Sequence, residues 1–194
     1  MARAFRIELL SAAAAADTPL VSALTGLIND VYAEAERGLW RDGATRTTEE
    51  EVASLARAGE IAVVTADEPA AGGRVLGCVR IRRLGAGMSE FGMLAVADSH
   101  RGTGMGTELV RFAEATARRA GHATMQLELL VPREWKHPSK EFLAQWYTRI
   151  GYTVFRTGST DEFYPQLTPL LATPCDFVVY RKDFGDAGFA VSGA

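Results

Sequence analysis

One stretch restricts the possible folds of this chain more than any other. From Phe91 to Val96 it runs almost continuously apolar, as a central strand buried on both faces should. The run leads into Arg101-Gly102-Thr103-Gly104-Met105-Gly106, after which Met105, Leu109, Phe112, Thr116 and Ala120 recur at helical spacing until Gly121 stops the pattern. Met125, Leu127, Leu129 and Val131 then alternate with Gln126 and Glu128, a strand with one more polar face that ends at Pro132. A helix crossing between two strands of one sheet makes them a parallel pair.

The flanking segments extend this unit. Phe5, Ile7 and Leu9 alternate with Arg6 and Glu8 as a first strand. Asp17 and Thr18 with Pro19 then open a helix on which Leu20, Leu24, Leu27 and Val31 form the apolar stripe. A loop from Gly38 to Arg46 follows, and Thr47 with Glu50 reads as a capping box for a second helix ending at Gly59. Strands at Ile61–Thr65 and Val75–Ile81 are expected to form an antiparallel hairpin through Asp67, Pro69, Gly72 and Gly73. A helix from about Ser139 to Ile150 precedes Gly151, a strand from Tyr152 to Phe155, a long loop, and a closing strand from Phe177 to Arg181. The expectation is one α/β domain over residues 1–185, a mixed sheet of about seven strands flanked by about four helices, with a Gly/Ala-rich tail at 186–194.

Composition narrows the partners. Lys+Arg 21 against Asp+Glu 24 gives a formal charge of -3, so no global positive field gathers nucleic acid or anionic lipid, and neither is expected as a partner. Cys78 and Cys175 lie far apart among apolar residues, as buried free thiols of a reducing compartment would, and neither has a histidine nearby in sequence to make it a nucleophile. Arg3 and Arg6 before an apolar stretch imitate a secretory leader, but Glu8 interrupts it. No other run approaches the roughly 20 apolar residues of a membrane span, so a cytoplasmic location is expected. His100, His122 and His137 occur singly, are read as surface residues, and offer no metal-ligand spacing.

The chemistry concentrates in the glycine-rich corner. Three glycines at a strand-to-helix junction expose unpaired N–H groups at the positive end of a helix dipole and let a phosphate approach the backbone. A pyrophosphate site is one reading; a turn that needs glycine only for its geometry is the other. A Walker loop is excluded because Gly106-Thr107-Glu108 replaces Gly-Lys-Ser/Thr, and a Rossmann fingerprint because its third glycine falls on Leu109.

Here the sequence resembles the GNAT superfamily of acyl-CoA-dependent N-acetyltransferases. Its signature, Arg/Gln-x-x-Gly-x-Gly/Ala after a Leu-x-Val strand, is matched by Arg101, Gly104 and Gly106 after Leu94 and Val96. A second block, Trp146-Tyr147-Thr148-Arg149-Ile150-Gly151-Tyr152, is similar to the family's aromatic-Tyr-x-x-x-Gly-aromatic run. The resemblance covers Phe5 to Arg181 and implies acetyl-CoA as cosubstrate, no metal, and direct attack by a primary amine in a ternary complex. It further implies a bulged strand whose Leu94, Ala95 and Val96 backbone meets the pantetheine arm, and a pyrophosphate on the amides of Arg101, Gly102, Thr103, Gly104, Met105 and Gly106, with Thr107 close by.

Tyr147 matches the family tyrosine that protonates the departing thiolate. Leu143, Trp146 and Ile150 already supply an apolar stripe, which places Tyr147 about 100° away at its edge. An ammonium cannot attack a thioester, and with a pKa near ~10.4 its deprotonation at neutral pH costs roughly 4–5 kcal/mol, so a base is useful. Glu90, eleven residues before Arg101, stands where the histone-acetylating branch of the superfamily places its glutamate base; Glu128 is the second choice, and an exposed strand-end carboxylate is the competing reading of Glu90. Lys140 replaces the asparagine that family members often carry seven residues before the tyrosine, and its ammonium could approach a phosphate.

For the acceptor, the family implies the first helices and the loop between the last two strands. These carry Tyr32, Glu34, Glu36 and Trp40, and then Asp161, Glu162, Phe163 and Tyr164; aromatic and acidic groups together suit a cationic amine. Family habit points to a homodimer. The competing class is a non-catalytic acyl-CoA-binding or regulatory protein that keeps the phosphate corner without acid, base or acceptor pocket.

Overall fold

The computed structural model describes residues 5–66, 74–85 and 87–185. The elements are β1 (Phe5–Leu9), α1 (Thr18–Ala35), α2 (Glu49–Arg57), β2 (Ile61–Ala66), β3 (Val75–Gly85), β4 (Met88–Val96), α3 (Met105–Arg119), β5 (Thr124–Pro132), α4 (Pro138–Arg149), β6 (Thr153–Ser159), α5 (Thr160–Phe163) and β7 (Cys175–Asp183). They build a seven-stranded mixed sheet in the order β1-β2-β3-β4-β5-β7-β6. The pair formed across α3, β4 with β5, is parallel, and the other neighbours are antiparallel. The α/β class and strand number agree with the sequence reading; the one-turn α5 inside the long loop adds a fifth helix. The hairpin turn at 67–73 and the tail at 186–194 lie outside the described residues.

Local chemistry accounts for the helix boundaries. Asp17 caps α1 by accepting the Leu20 N–H at 3.1 Å, with Pro19 in the first turn. The box that opens α2 sits one residue later than the Thr47/Glu50 reading: Thr48 Oγ1 accepts the Glu51 N–H at 3.2 Å, while Thr47 Oγ1 donates to the Glu51 carboxylate. Asn29 fixes that shift, because its amide oxygen accepts the N–H groups of both Arg46 and Thr47 and its nitrogen donates to the Thr47 carbonyl. On α3 the buried line runs Met105-Leu109-Ala113-Ala117 with Val110 and Glu114, so Phe112, Thr116 and Ala120 lie off its centre. Glu114 could not be read as buried from its polarity. Its carboxylate is held there by the Tyr152 hydroxyl at 3.0 Å and the Lys182 ammonium at 2.8 Å.

Apolar side chains form three clusters. One joins the sheet to α3 and α4 through Phe91, Leu109, Met125, Leu127, Tyr147 and Tyr152. The second joins its other face to α1 and α2 through Leu24, Ile28, Val52, Val63, Cys78 and Met93. The third is small and gathers Leu39, Leu130, Leu171, Cys175 and Phe177. Both cysteines are buried free thiols, and burial pushes their pKa up, to about 12 for Cys78 and about 11 for Cys175.

Candidate active site

The sheet divides at β4. Its parallel ladder with β5 is limited to Met88↔Thr124, Ser89↔Met125 and Glu90↔Gln126, although β5 remains paired with β7 as far as Pro132↔Cys175. Along β3 the register steps from Cys78↔Ala95 to Arg80↔Gly92, which inserts one extra residue into β4. Met93, at φ 46°, is the described non-glycine residue in the left-handed region, and it marks this bulge. The insertion reverses the strand's alternation. Phe91 faces the α3/α4 cluster, Met93 and Ala95 face α1/α2, and Leu94 and Val96 return to the α3/α4 side. From Phe91 onward the edge of β4 that faces β5 has no ladder partner.

That edge leads straight to the glycine corner. Gly102 and Gly104 have φ of 75° and 87°, so both turns require glycine. Gly104 is the N-cap of α3 and supplies no side-chain cap; the first backbone bond into the helix runs from the Glu108 N–H to the Gly104 carbonyl at 3.1 Å. The amides of Met105, Gly106 and Thr107 precede that bond and lie at the positive end of a fifteen-residue helix dipole. Gly106 differs from the other two: a Cβ there would make only ordinary contact, 3.8 Å from the Trp146 ring. Arg101 pairs with Asp98 at 2.9 Å, and Thr103 Oγ1 donates to the His100 carbonyl at 2.7 Å, which folds the corner on itself.

Tyr147 sits under the gap. It is 6% exposed and, with Lys140, forms the buried line of α4, whereas Leu143, Trp146 and Ile150 are half-buried. The expected stripe was therefore displaced, and Tyr147 lies at its centre rather than its edge. Its ring meets Phe91, Trp146, Tyr152 and Tyr180 at centroid separations of 5.1–6.3 Å. Burial pushes its phenol far above the ordinary tyrosine range, with Tyr32 and Tyr180 adding to the rise, so it is a neutral hydrogen-bond donor at physiological pH. Tyr32 belongs to α1 and packs against the cluster on the opposite face of the sheet. Burial raises Tyr32 to about 12 against the pull of Arg46, whose guanidinium lies 5.0 Å from the ring centre.

The remaining acceptor-side residues are dispersed. Glu34 is exposed and bonded to Arg37. Glu36 is buried; its oxygens accept the Lys140 ammonium at 2.6 Å and the Trp40 N–H at 2.5 Å. Lys140 is thus 5% exposed and bound to Glu36, not directed at a phosphate. His137 is also buried, contrary to its surface reading: it stands at the N-cap of α4 without a side-chain capping bond, and its Nε2 lies 3.2 Å from the Arg37 carbonyl oxygen. Trp40 bridges Leu171, and the Arg41 N–H and Ala172 N–H donate to Leu170 and Leu39 carbonyls, each at 2.9 Å. This short ladder stitches the loop after α1 to the loop before β7 above the third cluster.

A polar stripe lies on the sheet face next to that cluster. Glu90 Oε1 accepts from Arg82 Nη2 at 2.6 Å and its Oε2 from Gln126 Nε2 at 3.1 Å, and Gln126 in turn accepts from Arg181. Two residues further along β5, Glu128 Oε2 accepts the Tyr164 hydroxyl at 2.6 Å. Burial holds the Glu128 carboxyl above the usual range, Glu90 adds to the rise, and Tyr164, Arg82 and Arg156 oppose it. Strand alternation reveals the polarity of this face; Tyr164 reaches it from a distant loop, which no sequence period signals. Among the described residues, no group of three or more His, Cys, Asp or Glu could hold a metal, and no helix is long and apolar enough to cross a membrane.

A parallel strand pair parted beside a glycine-capped helix, with a buried tyrosine packed against Phe91, is the arrangement that the resemblance to the acetyltransferases implies. Residues 57–154, just over half the chain, match the family model described as an acetyltransferase (GNAT) domain, and the chain belongs to that family. Solved structures agree in fold. A GCN5-related N-acetyltransferase from Kribbella flavida is 17% identical with a TM-score of 0.61, covering 93% of this chain and 98% of its own. The IAA acetyltransferase of Bacillus cereus is 16% identical at TM-score 0.55, covering 92% and 99%. N-acetylglutamate synthase from Neisseria gonorrhoeae, solved with coenzyme A and N-acetyl-glutamate, is 15% identical at TM-score 0.61, and the match covers 94% of this chain but 36% of that one. No protein of curated function matches the sequence. Family membership supports acetyl transfer as the general activity and acetyl-CoA as cosubstrate.

Proposed function

We propose that this chain transfers an acetyl group from acetyl-CoA to a primary amine by direct attack in a ternary complex. The observation that carries this reading is the parting of β4 from β5 between the α3 amides and the buried Tyr147. The pantetheine arm lies along the unpaired backbone of Leu94, Ala95 and Val96, and the pyrophosphate rests on the amides from Arg101 to Thr107. One N–H of the opened strand receives the thioester oxygen as it gains charge.

The amine loses a proton to a carboxylate on the acceptor face, where Glu90 and Glu128 stand. Its nitrogen then forms the C–N bond, and the tetrahedral intermediate expels the thiolate. Tyr147 gives that sulfur its phenolic proton and regains one from the nitrogen. Tyr32, Glu34 and Trp40 shape the approach of a cationic acceptor. Glu36 acts there through Lys140 and Trp40, which hold it.

The test is thiol release from acetyl-CoA across a panel of amines, with calorimetric binding of acetyl-CoA in parallel. Turnover on at least one amine, falling on the order of ten to ten-thousand-fold in Tyr147→Phe at nearly unchanged coenzyme affinity, is expected. Binding without turnover on any amine favours the non-catalytic acyl-CoA-binding reading, and no binding at all overturns both.

A further inference from the structure

We propose that Glu128, positioned by Tyr164, is the group that takes the proton from the acceptor amine, and that Glu90 is instead a fixed anion at the root of the gap. This inference rests on the acetyltransferase reading and identifies a residue within it. Glu90↔Gln126 is the last rung joining β4 to β5, so Glu90 stands where the sheet is still closed. Both of its oxygens are engaged, one by the Arg82 guanidinium at 2.6 Å and one by the Gln126 amide at 3.1 Å. Each oxygen of Glu90 is thus already bonded to a side chain of the sheet, whereas Glu128 has such a bond on one oxygen.

Glu128 is the next residue along β5 on the same face, and it lies beyond the last rung. Met125, Leu127 and Leu129 point into the α3/α4 cluster, which leaves Gln126 and Glu128 on the acceptor side. One Glu128 oxygen accepts the Tyr164 hydroxyl at 2.6 Å, which orients the carboxylate and leaves Oε1 to receive a proton. Four groups face it from neighbouring elements: Glu90 on β4, Arg82 on β3, Arg156 on β6 and Tyr164 from the loop before β7. Burial and Glu90 raise its proton affinity above that of an ordinary carboxylate, and Tyr164 and the two arginines act in the opposite sense. The ammonium gives one proton to Glu128, the free lone pair then attacks the thioester carbon, and Glu128 afterwards releases that proton to water.

The test is the pH dependence of kcat at saturating amine for the parent and three variants, each first checked for thermal unfolding and for acetyl-CoA affinity. The rise of kcat on the acid side is expected to disappear in Glu128→Gln and to persist in Glu90→Gln, whatever the latter does to the plateau. In Tyr164→Phe the same limb is expected to move to higher pH, because a hydrogen bond to the ionised carboxylate has been removed. A limb that survives in Glu128→Gln, or one that vanishes in Glu90→Gln, overturns the assignment while the acetyltransferase reading stands. If Glu128→Gln does not fold, an unshifted limb in folded Tyr164→Phe overturns it equally. A parent chain that binds no acetyl-CoA and acetylates no amine defeats the broader reading instead.

Discussion

The contact between Lys140 and Glu36 shows how one residue can serve the site without touching substrate. Two opposite charges at 5% and 7% exposure join the end of α1 to the start of α4, the helix that carries Tyr147. Removing one partner strands the other in a poorly solvated place. Lys140→Met is therefore expected to lose about 3–5 kcal/mol of stability in urea unfolding. Combining it with Glu36→Gln, which keeps an oxygen for the Trp40 N–H, should restore most of that loss. At this scale what the sequence reading missed was environment. Tyr147 was marked by its motif, whereas the centre of the α4 stripe moved onto it because Lys140, polar by type, is buried one turn pair earlier. A periodicity that scores only apolar residues cannot include a buried ion pair.

At the level of elements, order and direction were legible from the residues, whereas the β4 bulge was implied only by the family resemblance and its place at Met93 was not. The βαβ crossover forced the parallel pair, but a single inserted residue leaves no pattern in a strand already apolar on both faces. Two variants separate its geometry from its function. Met93→Gly relieves a left-handed residue, a gain of about 1–2 kcal/mol. It also empties a site that is 1% exposed, and truncations of this kind cost about 2–5 kcal/mol, so net destabilisation is expected in a denaturant titration. Gly106→Ala should behave in the opposite sense. Its Cβ meets nothing closer than 3.8 Å and its place in the signature admits alanine, so the helix is expected to be stabilised by up to about 1 kcal/mol with coenzyme affinity nearly unchanged, read by thermal unfolding and calorimetry on one sample.

For the whole molecule, the coenzyme is expected to act as a brace. The chain folds around an opening between two halves of one sheet, so a ligand that bridges α3 and the β4 edge stabilises the native state by mass action. At a hundredfold excess over Kd the gain is about 2.7 kcal/mol, or roughly 5–11 °C in melting temperature for a domain of this size, measurable by calorimetric scanning. The surface between α1 and β7 has a different origin. It depends on the ladder between Leu39–Arg41 and Leu170–Ala172, two segments far apart along the chain that share one small cluster. The two segments brace one another, so a chimaera that exchanges one of them for a relative's is expected to need the other exchanged with it.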